Sequence, residues 1–343
     1  MKAFTFSPTF AIDGRVIGAG SPAYIIAEAG VAHFGNLAKA FELVDMAVAA
    51  GADAVKFQIF RPDALICAEA PEWKKRLGSR ALPFSDFKEI QGYCRQQGIT
   101  FLVTAHDESA LEYIDTLEVP AYKIGSGEVD NWPFITKIAQ RGKPVIFSTG
   151  MYTLAQVRTA LGLFAAAGNG EVAVLHCVTS YPVLPAEVNL QAMNTIRQAF
   201  QVVTGYSDHT QGYHFPLAAV ALGAKIIEKH ITLDFDVPDA QDWKVSCGWH
   251  DLPLFIKQLR EIEAGMGSGE ITPTSAEQQS LAWARKSLVA ATEIKAGELL
   301  DRENVVCKRP GTGIPPSELE SYLGRRAKVA IAADTLIRAE DLL

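Results

Sequence analysis

Eight apolar segments recur along the chain about thirty residues apart, and each ends in side chains capable of chemistry. They are AYIIAE ending at Glu28, DAVKFQ with Lys56 and Gln58, TFLVT with Thr104, and AYKIGSGE with Lys123, Ser126 and Glu128. PVIFST with Ser148 and Thr149, VAVLHC with His176, VVTGYSDH with Ser207 and His209, and AKIIEKH with Glu228 and His230 complete the set. Helical stretches such as NLAKAFELVDMAVAAGA and NWPFITKIAQRG separate them, so the pattern is βα repeated. That alternation predicts an α/β fold, a parallel (β/α)8 TIM barrel, in which the C-terminal ends of all strands open on one mouth. A doubly wound open sheet is the competing arrangement. It would concentrate ligand contacts at one switch point rather than at every strand end.

The remaining organisation follows from changes in texture. Residues 1–20 carry two short apolar runs around Asp13-Gly14, the signal of a β-hairpin placed to close the barrel bottom. The barrel is expected over 21–264. Residues 265–285, where GMGSGEITPTSAEQQ breaks the periodicity, read as a linker. Residues 286–343 form a small second domain with a weak internal repeat, Ile294–Leu300 followed by Glu303 against Ile331–Ile337 followed by Glu340. Between the two halves, Lys308-Arg309-Pro310-Gly311 sets two cations on a sharp turn.

Composition excludes several classes. At 343 residues and 48% hydrophobic, the chain has ample core for a barrel and an extra domain. No apolar run approaches the roughly twenty residues of a membrane span, and MKAFTFSPTF lacks the features of a signal peptide, so a cytoplasmic protein is expected. A net charge of −7 gives no support to nucleic-acid binding. Five cysteines without a CxxC pair argue against a disulfide framework and a structural zinc site.

Within the strands, lysines at Lys56 and Lys123 are expensive choices in apolar surroundings unless they meet an anion. Lys123 leads into Gly125-Ser126-Gly127, a turn whose N–H groups and hydroxyl can surround an oxyanion. Lys56 and Gln58 share strand parity, as do Glu228 and His230, so each pair points to one face. His209 and His230 fall at the ends of adjacent strands, beside Glu228 and upstream of Asp239 and Asp242, in a pattern suited to an open divalent-metal site. The other histidines read as structural, with His33 and His106 the exceptions to watch because they follow strands of the barrel.

Taken in order, Ile26-Ala27-Glu28-Ala29-Gly30, Val55-Lys56-Phe57-Gln58, Ala121–Glu128, Ser148-Thr149-Gly150-Met151, His176-Cys177, Tyr181-Pro182, Gly205–Thr210, Glu228-Lys229-His230 and Lys308–Gly311 resemble the sialic acid synthase family. The likeness includes a C-terminal segment similar to the antifreeze-like (SAF) module. It implies condensation of phosphoenolpyruvate with an open-chain N-acetylated aldose to give a nonulosonic acid and phosphate. By the same resemblance, Lys56, Thr104, Lys123, Ser126, Thr179 and Ser207 would hold phosphoenolpyruvate. Glu28 and Glu128 would be the catalytic carboxylates, and His209 and His230 would bind manganese or magnesium. Gln58, Tyr181, Glu228 and Asp242 would contact the sugar, with Asp239 the alternative to Asp242. Arg309 would enter the partner subunit's site in a domain-swapped homodimer. Departures from the usual pattern at Ala32, at Ala105-His106 and over 237–246 cluster where the distal sugar would sit, which leaves the acceptor open between N-acetylmannosamine and a 6-deoxy diacetamido hexose. Other phosphoenolpyruvate- or pyruvate-using barrels and a non-catalytic sugar-binding protein are the competing functions. The Arg309 module weighs against the first, and the many buried charges against the second.

Overall fold

The computed structural model describes residues 4–343, so the first three residues of the expected hairpin segment lie outside the described residues. The chain divides into two compact units, residues 1–267 and 268–343. The first opens on a hairpin, β1 (Thr9–Ile12) and β2 (Arg15–Gly18), paired antiparallel around Asp13-Gly14. Eight parallel strands follow: β3 (Tyr24–Gly30), β4 (Ala54–Ile59), β5 (Thr100–Ala105), β6 (Tyr122–Ile124), β7 (Val145–Ser148), β8 (Val172–Cys177), β9 (Val203–Asp208) and β10 (Ile226–His230). They close into a barrel in sequence order, β10 pairing with β3, so the open-sheet alternative does not apply.

The intervening helices are α1 (Leu37–Ala50), the short α2 (Pro62–Leu65) and α3 (Pro71–Gly78), α4 (Phe84–Gln97), α5 (Glu108–Thr116), α6 (Trp132–Ala139), α7 (Leu154–Ala166), α8 (Gln191–Phe200), α9 (His214–Ala221) and α10 (Asp251–Gly265). Local chemistry sets several of their ends. Asn36 accepts from the N–H groups of Ala38 and Lys39 at the start of α1, and Thr153 and Gln156 form a capping box on α7.

Strand parity builds two cores. Outward residues such as Ile25, Val55, Val103, Phe147 and Ile227 pack against the helices. Inward residues Tyr24, Ile26, Ala54, Leu102, Ala121, Ile146, Leu175 and Ile226 fill the barrel, and Phe10, Ile12 and Ile17 of the hairpin join that same cluster at the bottom. One step further along five of the strands, the inward series turns polar: Ile26 is followed by Glu28, Ala54 by Lys56, Leu102 by Thr104, Ala121 by Lys123 and Ile226 by Glu228. The apolar layers thus support a polar layer at the mouth.

In the second unit, α11 (Ser275–Ala284) precedes β11 (Ser287–Ala290), which pairs antiparallel with β12 (Val305–Lys308), and α12 (Leu319–Tyr322) follows. The expected linker is therefore partly helical. Thr274 and Glu277 make a capping box, a T-x-x-E pattern that follows the Gly- and Pro-rich stretch. The two repeat segments pair at equivalent positions, Ile294 and Ile331 exchanging N–H···O bonds of 2.9 and 2.8 Å. Both isoleucines lie in this unit's core with Leu288, Leu300 and Ile337.

Candidate active site

The mouth of the barrel encloses a cavity of about 350 Å³. Twelve of the fifteen site residues expected from the sequence line it: Glu28, Lys56, Gln58, Thr104, Lys123, Ser126, Thr179, Tyr181, Ser207, His209, Glu228 and His230. At its floor lies a four-membered ion cluster. Lys56 Nζ is 2.6 Å from Glu28 Oε2 and 3.7 Å from Glu228 Oε2, and Lys123 Nζ is 3.3 Å from Glu228 Oε1. Lys56 also donates to Thr104 Oγ1 at 3.1 Å, Ser207 Oγ donates to Glu228 Oε1 at 2.9 Å, and Gln58 Nε2 donates to Glu28 Oε1 at 2.9 Å.

Burial and pairing drive the two carboxylates apart. Burial pushes the Glu28 pKa up and only part of this is offset by Lys56, so the net shift is upward. Burial acts on Glu228 too, but Lys123, Lys56 and the Ser207 hydrogen bond outweigh it and hold the group at about 2. Glu28 is thus the carboxyl suited to carry a proton, and Glu228 is a fixed anion.

Hydroxyls converge beside this cluster. Ser126, in the short 3-10 turn 126–128 after β6, accepts from the Gly150 N–H at 2.9 Å, which leaves its own proton free to donate. A Cβ on Gly150 would fall 2.2 Å from Thr179 Oγ1 and 2.7 Å from Ser126 Oγ, so both hydroxyls flank a point that only glycine leaves open.

Above the cluster, His209 and His230 face each other with ring centroids 5.3 Å apart. His209 Nδ1 lies 2.7 Å from the Val178 carbonyl and carries the hydrogen there, which leaves the Nε2 lone pair facing the Tyr181 hydroxyl at 3.0 Å.

A family model described as the NeuB family matches residues 43–271, and one described as the SAF domain matches 285–343. The chain belongs to the NeuB family. It is 39% identical to an N,N'-diacetyllegionaminic acid synthase of Campylobacter jejuni, over 92% of this chain and 98% of the relative. Identity to the N,N'-diacetyllegionaminic acid synthase of Legionella pneumophila is 35%, over 95% and 96% of the two chains. The solved N-acetylneuraminic acid synthetase of Leptospira borgpetersenii, in complex with citrate, superposes with a TM-score of 0.75 at 30% identity, covering 81% of this chain and 97% of that one. As a NeuB-family synthase the protein is an enzyme, a phosphoenolpyruvate-dependent transferase that forms a carbon–carbon bond.

Three expected residues are not in the lining of this NeuB-family cavity. Glu128, expected as a second carboxylate of the mouth, is carried past it by the turn and accepts from Asn131 Nδ2 at 2.6 Å. Asp242, in the turn 242–245 of the loop after β10, acts on His230 and Tyr181 through its charge without reaching the lining. Arg309 lies in the second unit, where its Nε donates to the Ala284 carbonyl at 3.0 Å. Conversely, Trp73, His106, Ser148 and Cys177 line the cavity although the sequence reading assigned them no role there. Parity along VAVLHC carried the signal for Cys177, which points inward like Leu175, while His176 points outward to stack on Tyr206 and reach the Val188 carbonyl. Trp73 offered only its position in the polar helix PEWKKRLG. His33, the other histidine flagged for attention, instead accepts from the Gly35 N–H through Nδ1 at 3.1 Å.

The donor set suits a divalent ion. Burial pushes His230 down to about 3, so its imidazole is neutral as a ligand must be, and the Val178 carbonyl presets the His209 tautomer. Among the described residues no three His, Cys, Asp or Glu side chains are arranged to hold a metal, so the protein side would supply two imidazoles and leave the other positions to water or substrate oxygens.

Buried neutral imidazoles also set the acid stability. Burial lowers His33 and His106 to about 4 and His230 to about 3. Each takes up a proton in the unfolded chain near 6.5 but not in the folded barrel, so stability falls as pH drops below that value. Glu228, at about 2, adds loss in the same direction below 4.5. Glu28, Glu128 and His209, all raised, His209 through Cys177 and the Val178 carbonyl, oppose it in part. The thermal midpoint of the barrel unit, followed by circular dichroism, should therefore be lower at about pH 5 than at about pH 7.5. A flat or rising midpoint would mean that these imidazoles are charged in the folded state.

Proposed function

We propose that this chain condenses phosphoenolpyruvate with an open-chain 6-deoxy diacetamido hexose, a relative of N-acetylmannosamine, to give a sialic-acid-type nonulosonic acid and phosphate. The observation that carries the reading is the division of one cavity into an anion end, with Lys56, Lys123, Ser126 and Thr179, and an imidazole end, with His209 and His230. Phosphoenolpyruvate fits the first. Its carboxylate and phosphate find two lysines and freely turning hydroxyls in a setting where burial strengthens each contact.

In the reaction, C3 of phosphoenolpyruvate attacks the aldehyde carbon, water adds to the cationic C2, and the C2–O bond to phosphate breaks. A manganese or magnesium ion on His209 and His230 would supply Lewis-acid stabilisation of the aldehyde oxygen as negative charge builds on it. Glu28, poised to exchange a proton and positioned by Gln58 and Lys56, serves the C2 cation and the attacking water. Glu228 holds both lysines in place. Glu128, at the end of the turn that presents Ser126, accepts from Asn131.

The choice of acceptor rests on the names of the Campylobacter and Legionella relatives and on space beside the mouth. A second cavity, of about 750 Å³, adjoins through Trp73, which lines both. Val237, Pro238 and Asp239 of the divergent loop line it together with Phe34 and Arg80, whose Nη2 donates to the Asp239 carbonyl at 2.6 Å. Phosphate release and 3-deoxy-ulosonate formation should be measured with manganese against N-acetylmannosamine, its 6-phosphate, mannose and 6-deoxy diacetamido hexoses. Selective turnover of the diacetamido sugar is expected; selective turnover of another aldose would reassign the acceptor, and none on any would overturn the reading.

Gly150→Ala tests the anion end. The added methyl would displace the Ser126 and Thr179 hydroxyls, so the KM for phosphoenolpyruvate should rise about tenfold to a hundredfold, the worth of one or two hydrogen bonds to a charged group. The KM for the aldose should change much less. An unchanged phosphoenolpyruvate KM would remove both hydroxyls from its site.

Arg309, exposed on its turn, is proposed to complete the site of a second copy in a domain-swapped homodimer. Mixed after subunit exchange, the inactive variants Arg309→Ala and Lys123→Ala should regain activity through hybrid dimers carrying one intact site. No recovery after verified exchange would exclude the swapped arrangement.

A further inference from the structure

The inward side chains of β9 and β10 account for the site, but the outward ones hold a second charged pair that the mechanism does not use. Asp208 and Lys229 are 0% and 1% exposed. They stand opposite each other in the β9–β10 ladder, one register step beyond the Ser207–Glu228 pair of the cavity floor. Lys229 Nζ donates to Asp208 Oδ2 at 2.6 Å and to the Thr210 carbonyl at 2.8 Å. Asp208 Oδ1 in turn accepts from Tyr206 OH at 2.9 Å, from the Thr210 N–H at 3.1 Å and from Thr210 Oγ1 at 2.9 Å. His209 is therefore bracketed by two residues tied to one network, and His230 directly follows the lysine at its centre.

A buried ion pair adds little stability over apolar groups of the same size, so stability alone does not account for two charges in this place. What a saturated, directional network adds is a single geometry. We propose that Asp208 and Lys229 are positioning residues, whose ion pair on the outer face of the barrel fixes how His209 and His230 are presented at the mouth. The inference rests on the reading of those two histidines as metal ligands.

The test compares the parent with Asp208→Asn/Lys229→Met, in which the pair is replaced without leaving a lone charge. Manganese affinity is titrated on the whole protein without substrates, beside the thermal midpoint and kcat. The midpoint should stay near the parent's, while manganese affinity falls about tenfold to a hundredfold, the usual effect of removing support behind a ligand, and kcat falls with it. A purely structural role would lower the midpoint and leave the metal affinity of the folded protein alone. A folded double variant with parental affinity and kcat would overturn the proposal. Should that variant not fold, Thr210→Val, which removes only the hydroxyl bonds to Asp208, should still weaken manganese about threefold to tenfold at an unchanged midpoint; unchanged affinity there would overturn the proposal equally. His209→Ala, titrated alongside, separates the two readings. Parental affinity in His209→Ala would end the metal reading and the proposal with it, whereas lost affinity there with none lost in the pair variants would end the proposal alone.

Discussion

Lys56→Met should melt the barrel unit about 6–20 °C below the parent and lower kcat/KM for phosphoenolpyruvate about a hundredfold to a thousandfold. Lys56 is the cation shared by Glu28 at 2.6 Å and Glu228 at 3.7 Å, with all three side chains at least 95% buried. Methionine keeps most of its length, so the loss is of charge rather than packing. Breaking a buried pair by removing one partner costs about 3–5 kcal/mol, and a domain of this size shifts by about 2–4 °C for each. The deficit should depend on pH in a definite direction. Glu28, already raised by burial, loses its main counter-charge and is raised further, so the folded variant binds a proton that the unfolded chain releases above its ordinary 4.5. Lowering the pH should accordingly narrow the gap to the parent. Calorimetric scans at two pH values, with phosphoenolpyruvate kinetics, check both parts; a variant as stable as the parent would show that the ion cluster is not what holds these carboxylates.

The second large effect is expected at the imidazole end. His209→Ala and His230→Ala should each weaken manganese binding by at least about a hundredfold and reduce kcat by about a thousandfold, while the barrel stays folded. Neither ring is a major core element: they sit at strand ends above the apolar layers, and the backbone bonds of β10 to β3 and β9 remain. Metal titration and steady-state kinetics on both variants and on the double variant measure this. Full activity in a metal-stripped double variant would exclude these histidines as ligands.

These expectations rest on residues of differing legibility. The thirty-residue recurrence made the barrel readable, because a parallel strand and its helix need about that length and repeat it. Lys56 and Lys123 were readable because charges inside apolar strands have few explanations. Cys177 and His176 illustrate the limit: both were visible at a strand end, but only the registration of VAVLHC against β7 and β9 decides which of them faces the cavity. Glu128 shows the same limit from the other side, since it lies outside the cavity lining. It follows Lys123 closely in sequence, yet a tight turn separates the two by direction rather than by distance along the chain. Trp73 had no periodic signal at all, since a short loop helix is placed by packing and not by pattern.

Periodicity, composition and the spacing of polar strand ends thus determined the architecture, the shared mouth and most of the residues on it, because strand parity is a local property of the backbone. Tertiary structure alone decided the pairing. Which lysine neutralises which glutamate, why Glu28 and Glu228 titrate in opposite directions, and how the outward Asp208–Lys229 pair brackets the histidines all depend on distances of a few ångströms between strands about twenty to two hundred residues apart. Electrostatic energy in a buried site varies steeply over that range, and no one-dimensional pattern carries it.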